Sequence, residues 1–366
     1  YELPGTEQLY WEHVYMEILN GDWERRLRHG RVSLPEGWEA PVMYANCQPE
    51  GQVYEFENLE ELRKFDPRYQ THSDSKAMEL VSRVLGVPES DIQNIKCLKS
   101  GMTNKSFLFD AGGVSYICRV PGPGTEMLIN RRQEADVYGV VADLDITERL
   151  LYLDPETGYK IAKYYDGARN GDPRNPEDIS KCMGLLRRFH QSGLAVGHDF
   201  NIRERIMFYE NLCLNHGGIP FEDYREIRGR MWELMDWLDG LGRPKVLAHI
   251  DSNFDNFLML PDGRAKLIDW EYAGMCDPLM DLAMCSIYSY YNIEETETLM
   301  EAYLDREPEE LERTVVFASM ALGGFLWSLW AVYKSSQGDE FGEYTLIMYR
   351  YAKDCSRIVQ KNLQKL

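Results

Sequence analysis

Residues 246–258 set His249, Asp251 and Asn256 in the spacing H-x-D-x-x-x-x-N. Thirteen residues after Asn256, the hydrophobic pair Leu267-Ile268 ends in Asp269 and continues as Trp270-Glu271. A hydroxyl that attacks phosphorus needs a carboxylate beside it, and the phosphate charge needs a hard cation held by oxygen ligands. Asp251 fits the first requirement, accepting or orienting the hydroxyl proton. Asn256 and Asp269 fit the second, as ligands for Mg²⁺. His249, grouped with Asp251 and Asn256 as a catalytic residue, fits a bracing role through a hydrogen bond within the loop. Singly, each residue has a plainer reading: a solvated carboxylate, or a histidine satisfied in a core. Their joint spacing between two strand-like runs points to phosphoryl transfer.

The elements that must position these residues are legible upstream. Ile95–Lys99, Ser106–Asp110 and Val114–Val120 alternate with the period of strands, the last two joined at Ala111-Gly112-Gly113. A helical pattern runs from Glu126 to Val141, and two further strands are expected at Arg149–Leu153 and Tyr159–Tyr164. From Asn175-Pro176-Glu177-Asp178, a strong helix start, the chain reads as mainly helical. Helices are expected to Gln191, over 202–215 and over 222–239, then short strands between Lys245 and Ile268, then helices to the C-terminus. The expected fold is α+β, with a small antiparallel lobe (73–164) and a larger helical lobe (165–366) around a cleft.

Composition narrows the partners. With 40 basic against 60 acidic residues among 366, the net charge of -20 repels phosphate backbones and argues against nucleic acid. It mildly favours a cationic substrate. The eight cysteines are scattered, without a C-x-x-C pair, as in reduced thiols of a cytoplasmic protein. Val315–Val332 carries no charge and is long enough for a membrane span, but Ser319, Gly323, Gly324 and Ser328 and the lack of flanking basic clusters favour a buried helix. No membrane association is expected. The chain opens Tyr-Glu-Leu-Pro-Gly, with neither an initiator Met nor a signal peptide, and reads as a piece of something longer.

The loop resembles that of the choline/ethanolamine kinases, and the stretches Ile268–Gly274 and Asp277–Ala283 are similar to the bacterial choline kinases of the LicA type. These are relatives of the aminoglycoside phosphotransferases within the protein-kinase-like fold, and the likeness runs from about residue 76 to the end. The resemblance implies a two-lobed kinase that transfers the γ-phosphoryl group of ATP to the hydroxyl of choline with Mg²⁺. It implies that Gly101, Thr103 and Asn104, in the turn Lys99–Lys105, cover the phosphates, although no G-x-G-x-x-G is present. It places Arg119 on the ATP phosphates with Glu134 as its partner, and the adenine hinge at 162–165, including Lys163 and Tyr164. Asp281 is implied as a structural carboxylate holding the catalytic loop. Two positions depart from the family: Ile250, where Asn is frequent, and Asp255, where a small residue such as Gly is usual.

A quaternary ammonium donates no conventional hydrogen bond, so its recognition relies on aromatic faces and diffuse negative charge. Trp327 and Trp330 stand three residues apart on one helix face, similar to the Trp-x-x-Trp of choline kinases. Tyr272 and Tyr288 match further pocket positions, with Tyr290 and Tyr291 as competitors for the latter, and Asp251 supplies the charge. The plain reading of the tryptophans is core. Competing functions are an ethanolamine or aminoglycoside-type phosphotransferase, and a choline-sensing pseudokinase. Residues 1–72, through Leu9–Glu12 and Gly51–Asp66, resemble the tail of the bacterial nucleotidyltransferases that make CDP-choline, so a fusion to a cytidylyltransferase domain is expected in the parent protein.

Overall fold

The computed structural model describes residues 59, 63, 75–98, 104–122, 128–339 and 341–364. The chain divides into two units, Tyr1–Phe56 and Glu57–Leu366, and the described residues belong to the second. Apart from residues 59 and 63, the segment carrying the cytidylyltransferase resemblance therefore lies outside the described residues, as do Gly101 and Thr103 of the expected phosphate-covering turn.

Helix α1 (Lys76–Leu85) buries Met78, Leu80 and Val81 against Ile92, Phe109, Cys118 and Ile161, the core of the small lobe. That lobe is an antiparallel sheet of β1 (Gln93–Cys97), β2 (Asn104–Ala111), β3 (Val114–Pro121), β4 (Leu150–Leu153) and β5 (Lys160–Lys163), in the order β1-β2-β3-β5-β4. Strands β2 and β3 form a two-residue hairpin in which Gly112 and Gly113 have φ of 59° and 77°. Two left-handed central residues give the turn whose twist matches the strands. Between β3 and β4 lies α2 (Arg131–Val141), which begins five residues later than the apolar period suggested. Asn130 caps it there, its side chain accepting the Gln133 N–H at 3.3 Å.

The remainder is helical with small sheets inserted. Helix α3 (Pro176–His190) starts as expected, with Asn175 accepting the Glu177 N–H at 2.9 Å. It is preceded by β6 (Arg169–Asn170) and followed by α4 (Ile202–Asn215) and α5 (Tyr224–Gly240). Strands β7 (Val246–Ala248), β8 (Phe257–Met259), β9 (Ala265–Leu267) and β10 (Gly274–Cys276) make two ladders, β6-β8-β9 and β10-β7. Helices α6 (Leu279–Tyr288), α7 (Ile293–Leu304), α8 (Glu310–Ser336) and α9 (Tyr344–Leu363) complete the chain.

The uncharged run is part of α8, which is apolar enough to cross a membrane by composition but is wholly buried across that window. It packs against α4, α5, α6 and α9 and forms the centre of the large core. Close approach to α9 depends on Gly324, where a Cβ would lie 2.5 Å from the Met348 carbonyl oxygen and 2.7 Å from Tyr351 Cβ. Gly to Ala in a free helix gains about 1 kcal/mol. Here overpacking costs about 1–3 kcal/mol, so Gly324→Ala is expected to lower the stability measured by denaturant unfolding.

Candidate active site

The H-x-D-x-x-x-x-N segment joins β7 to β8, and Asp269 follows β9. Phe257 pairs with Leu267 across the β8–β9 ladder, and Ile268 N–H donates to the Asn256 carbonyl at 2.9 Å. The thirteen-residue spacing is thus a hairpin that returns Asp269 to the side of Asn256. A second tie crosses the same gap, between His249 Nε2 and the Ile268 carbonyl at 2.9 Å.

Asp281, on the first turn of α6 and fully buried, shapes the loop. Its Oδ2 accepts the His249 N–H at 2.8 Å and its Oδ1 the Ile250 N–H at 2.6 Å. His190 Nε2 lies 2.9 Å from Oδ2. Burial alone would raise the pKa of this carboxyl, but the His190 contact and the loop amides hold it below the ordinary carboxylate value. The loop needs this grip because Ile250 has φ of 69°, in the left-handed region that β-branched residues avoid. Asn tolerates that region, which accounts physically for its frequency at this position in the resembling family. Asp255, the other departure, is exposed and accepts from Asn170 Nδ2 at 3.2 Å.

Asp251 is half-buried in the cleft. Asn253 Nδ2 donates to its Oδ1 at 3.0 Å, and Asn256 Nδ2 to its Oδ2 at 2.9 Å. With its nitrogen committed to Asp251, Asn256 has its carbonyl oxygen to offer a cation. Burial pushes the Asp251 carboxyl up, with His249 opposing and Asp269 adding to the rise. His249 itself is completely buried and stacks edge-on against Trp270, with ring centroids 4.6 Å apart. The imidazole fits the bracing role expected of it: its Nε2 meets the Ile268 carbonyl, its ring packs on the Trp270 indole, and it is not among the residues that line the cleft.

In the small lobe, Arg119 and Glu134 form the expected pair, bidentate at 2.5 and 2.8 Å. Arg119 Nη1 also lies 3.4 Å from Asp269 Oδ1 and 3.8 Å from Glu271 Oε2. Burial opposes its charge, but these carboxylates hold it protonated. Asn104 Nδ2 donates to Glu271 Oε2 at 3.1 Å, and Arg131 bridges Glu134, Glu271 and Asn104. Lys163 and Tyr164 line the cleft, but their N–H groups donate to Arg149 and Ser115 carbonyls, both at 2.9 Å. These two amides are therefore engaged within the sheet, and only other atoms of the hinge are open to a base.

Sequence reasoning did not single out Glu271. Its carboxylate lies with those of Glu134 and Asp269, ligand atoms all within 4.8 Å of one another. Burial, reinforced by the Asp269 charge, pushes Glu271 up to about 8. Crowded acids of this kind mark a place suited to a cation. The signal was present in the W-E following Asp269.

The aromatic residues converge on the same cleft of about 840 Å³ that holds Arg119, Asp251, Asn256 and Asp269. Trp327 contacts Tyr272 edge-on at 5.5 Å, Tyr288 at 5.9 Å and Trp330 at 6.0 Å between centroids. Tyr288 takes the inward position, its phenol pushed up by burial and the Asp251 charge. Tyr291 instead turns away, its hydroxyl bonded to the Pro173 carbonyl. Tyr290 stays half-exposed at the rim with φ of 54°. Tyr344, on α9, joins the wall 6.4 Å from Trp330; it lies far from the motifs and offered no sequence signal.

A small antiparallel lobe beside a helical lobe, with an acidic cluster and a carboxylate-bearing loop between them, defines a two-lobed phosphotransferase. The chain belongs to the phosphotransferase enzyme family, whose model matches residues 94–314. It is similar to the choline kinase LicA of Streptococcus pneumoniae, 30% identical with a TM-score of 0.68, over 78% of this chain and 99% of that one. A crystal structure of LicA in complex with AMP is 29% identical, with a TM-score of 0.67 over 78% of this chain and 99% of that chain. Protein LicA of Haemophilus influenzae is 27% identical over 258 residues, 67% of this chain and 75% of its own length.

Asp281→Asn tests the grip on the loop, since an amide offers one acceptor where two N–H groups need two. A buried donor left unsatisfied costs about 1–3 kcal/mol, and turnover should fall with it. The pH dependence has a definite sign. A depressed folded pKa means the stabilisation is complete above the ordinary value of 3.8 and is lost as pH falls through the folded value. Urea unfolding across pH should therefore show the gap between wild type and variant closing only in acid below that value.

Proposed function

We propose that the protein is a choline kinase that transfers the γ-phosphoryl group of ATP to the choline hydroxyl. The observation that carries the reading is the placement of Asp251 in one cleft with two structures of opposite character. On one side stand the acidic residues Asp269 and Glu271 beside Arg119, and on the other the rings of Tyr272, Tyr288, Trp327, Trp330 and Tyr344. The first suits a nucleotide polyphosphate with its cation, the second a quaternary ammonium.

The donor set of carboxylate and amide oxygens fits Mg²⁺, a hard cation that keeps several waters. Asp269, Asn256 and Glu271 would hold it, and bound there it would neutralise charge on the phosphate oxygens. Asp251 accepts a hydrogen bond from the choline hydroxyl and takes its proton as the oxygen bonds to the γ-phosphorus. The bond from that phosphorus to the β–γ bridging oxygen breaks, and ADP leaves. Arg119, fixed by Glu134, faces the polyphosphate. The aromatic walls hold the trimethylammonium end, and Asp251 supplies the nearest charge. ATP as donor, and free cysteines among the described residues, suit a cytoplasmic enzyme.

An ADP-release assay across choline, ethanolamine and an aminoglycoside panel tests the reading. Choline should give the highest kcat/KM; release driven equally by aminoglycosides, or by no acceptor, would refute it. Asp251→Ala should lower kcat by about 10²–10⁴, the usual contribution of a positioned base, with ADP affinity retained by calorimetry. Trp327→Ala and Trp330→Ala should raise the choline KM by about 0.5–2 kcal/mol per ring, with the ATP KM unchanged.

A further inference from the structure

Lys160 takes no part in the site as described so far. It lies on β5 directly opposite Arg119 of β3, so both side chains leave the same face of the sheet. Directly opposed like charges destabilise a strand pair, and here both residues are also buried, at 8% and 5% exposure. The two cations converge on one atom: Arg119 Nη1 is 3.4 Å and Lys160 Nζ 3.9 Å from Asp269 Oδ1. Both line the cleft.

The lysine is held in place from behind. Its Nζ donates to Glu148 Oε1 at 3.0 Å and to the Tyr138 hydroxyl at 2.7 Å, and that hydroxyl donates to Glu148 Oε1 at 2.5 Å. Thr147 Oγ1 donates to Glu148 Oε2 at 2.6 Å and accepts the Trp270 Nε1–H at 2.9 Å. An ammonium carries three N–H groups. Two are spent on Glu148 and Tyr138, and the remaining direction is toward Asp269 and the cleft. If Lys160 served only to neutralise Glu148, an apolar pair would fill the same space at no loss of stability. A buried lysine opposite a buried arginine is warranted where an anion sits between them and the cleft.

We infer that Lys160 is a second cationic anchor for the nucleotide polyphosphate, set beside Arg119 and oriented by Glu148 and Tyr138. The inference rests on the kinase reading, but binding alone can test it. ADP and adenosine would be titrated calorimetrically, with Mg²⁺, into the full chain carrying Lys160→Met, Lys160→Arg, Glu148→Gln, or Lys160→Met with Glu148→Gln. Lys160→Met should weaken ADP about tenfold or more, the loss of one charge-assisted contact, and leave adenosine unchanged. Lys160→Arg should recover most of the affinity, and it keeps the charge if the methionine variant folds poorly. The double variant should remain as weak as Lys160→Met. Equal weakening of adenosine and ADP, or wild-type ADP affinity in the double variant, would overturn the inference by making Lys160 a partner of Glu148 alone. If wild type binds ADP but releases none with choline, the acceptor assignment fails while the role of Lys160 is still decided.

Discussion

Ile250 would leave its left-handed conformation if nothing held it, because such a backbone costs a β-branched residue about 1–3 kcal/mol. What holds it is the Asp281 carboxylate, whose two oxygens take the N–H groups of His249 and Ile250. On the far side of the loop, Asp269 is also left-handed, with φ of 69°. The bond from His249 to the Ile268 carbonyl ties the two strained points together. Asp251 lies between them. The position of the Asp251 carboxylate is thus set by an anion buried in the first turn of α6, a helix whose last residue, Tyr288, lines the cleft, and that first turn favours negative charge.

The second organising feature is electrostatic. The apolar core of the small sheet and the larger core that includes Val137, Tyr138 and Val141 of α2 are separate clusters. At the cleft they are bridged by charge: Arg119 with Glu134 and Asp269, Arg131 with Glu134 and Glu271, and Lys160 with Glu148. Each buried ion has a counter-ion, which is the condition under which such groups are tolerated. Gly158 belongs to this assembly. Its carbonyl accepts from Arg119 Nη2 at 3.0 Å, and a Cβ there would meet Arg131 Nε at 2.5 Å.

The spacing of Asn256 and Asp269 was enough to read the hairpin that brings them together, because two short strands fix that distance by register alone. The order of strands and helices was readable for the same local reasons, through period, caps and the Gly112-Gly113 turn. Less legible were contacts made across the chain. Glu271 acquires its meaning from Asn104 and Arg131, more than a hundred residues away, and Lys160 from its register with Arg119. Tyr344 enters the aromatic wall through the packing of α9 on α8. The start of α2 was misplaced because the apolar period runs on past Asn130, whereas the cap stops the helix.

The two indoles that line the cleft, Trp327 and Trp330, stand on α8, the helix at the centre of the large core. Loops usually carry specificity and change cheaply; in the proposed kinase the walls that would choose the acceptor are also the beams that support the lobe. A lineage that altered its acceptor by reshaping Trp327 or Trp330 would have to rebuild the interior at the same time. New acceptors should therefore be gained more readily at the rim, around Tyr290 and Asp255, than at the base of the pocket.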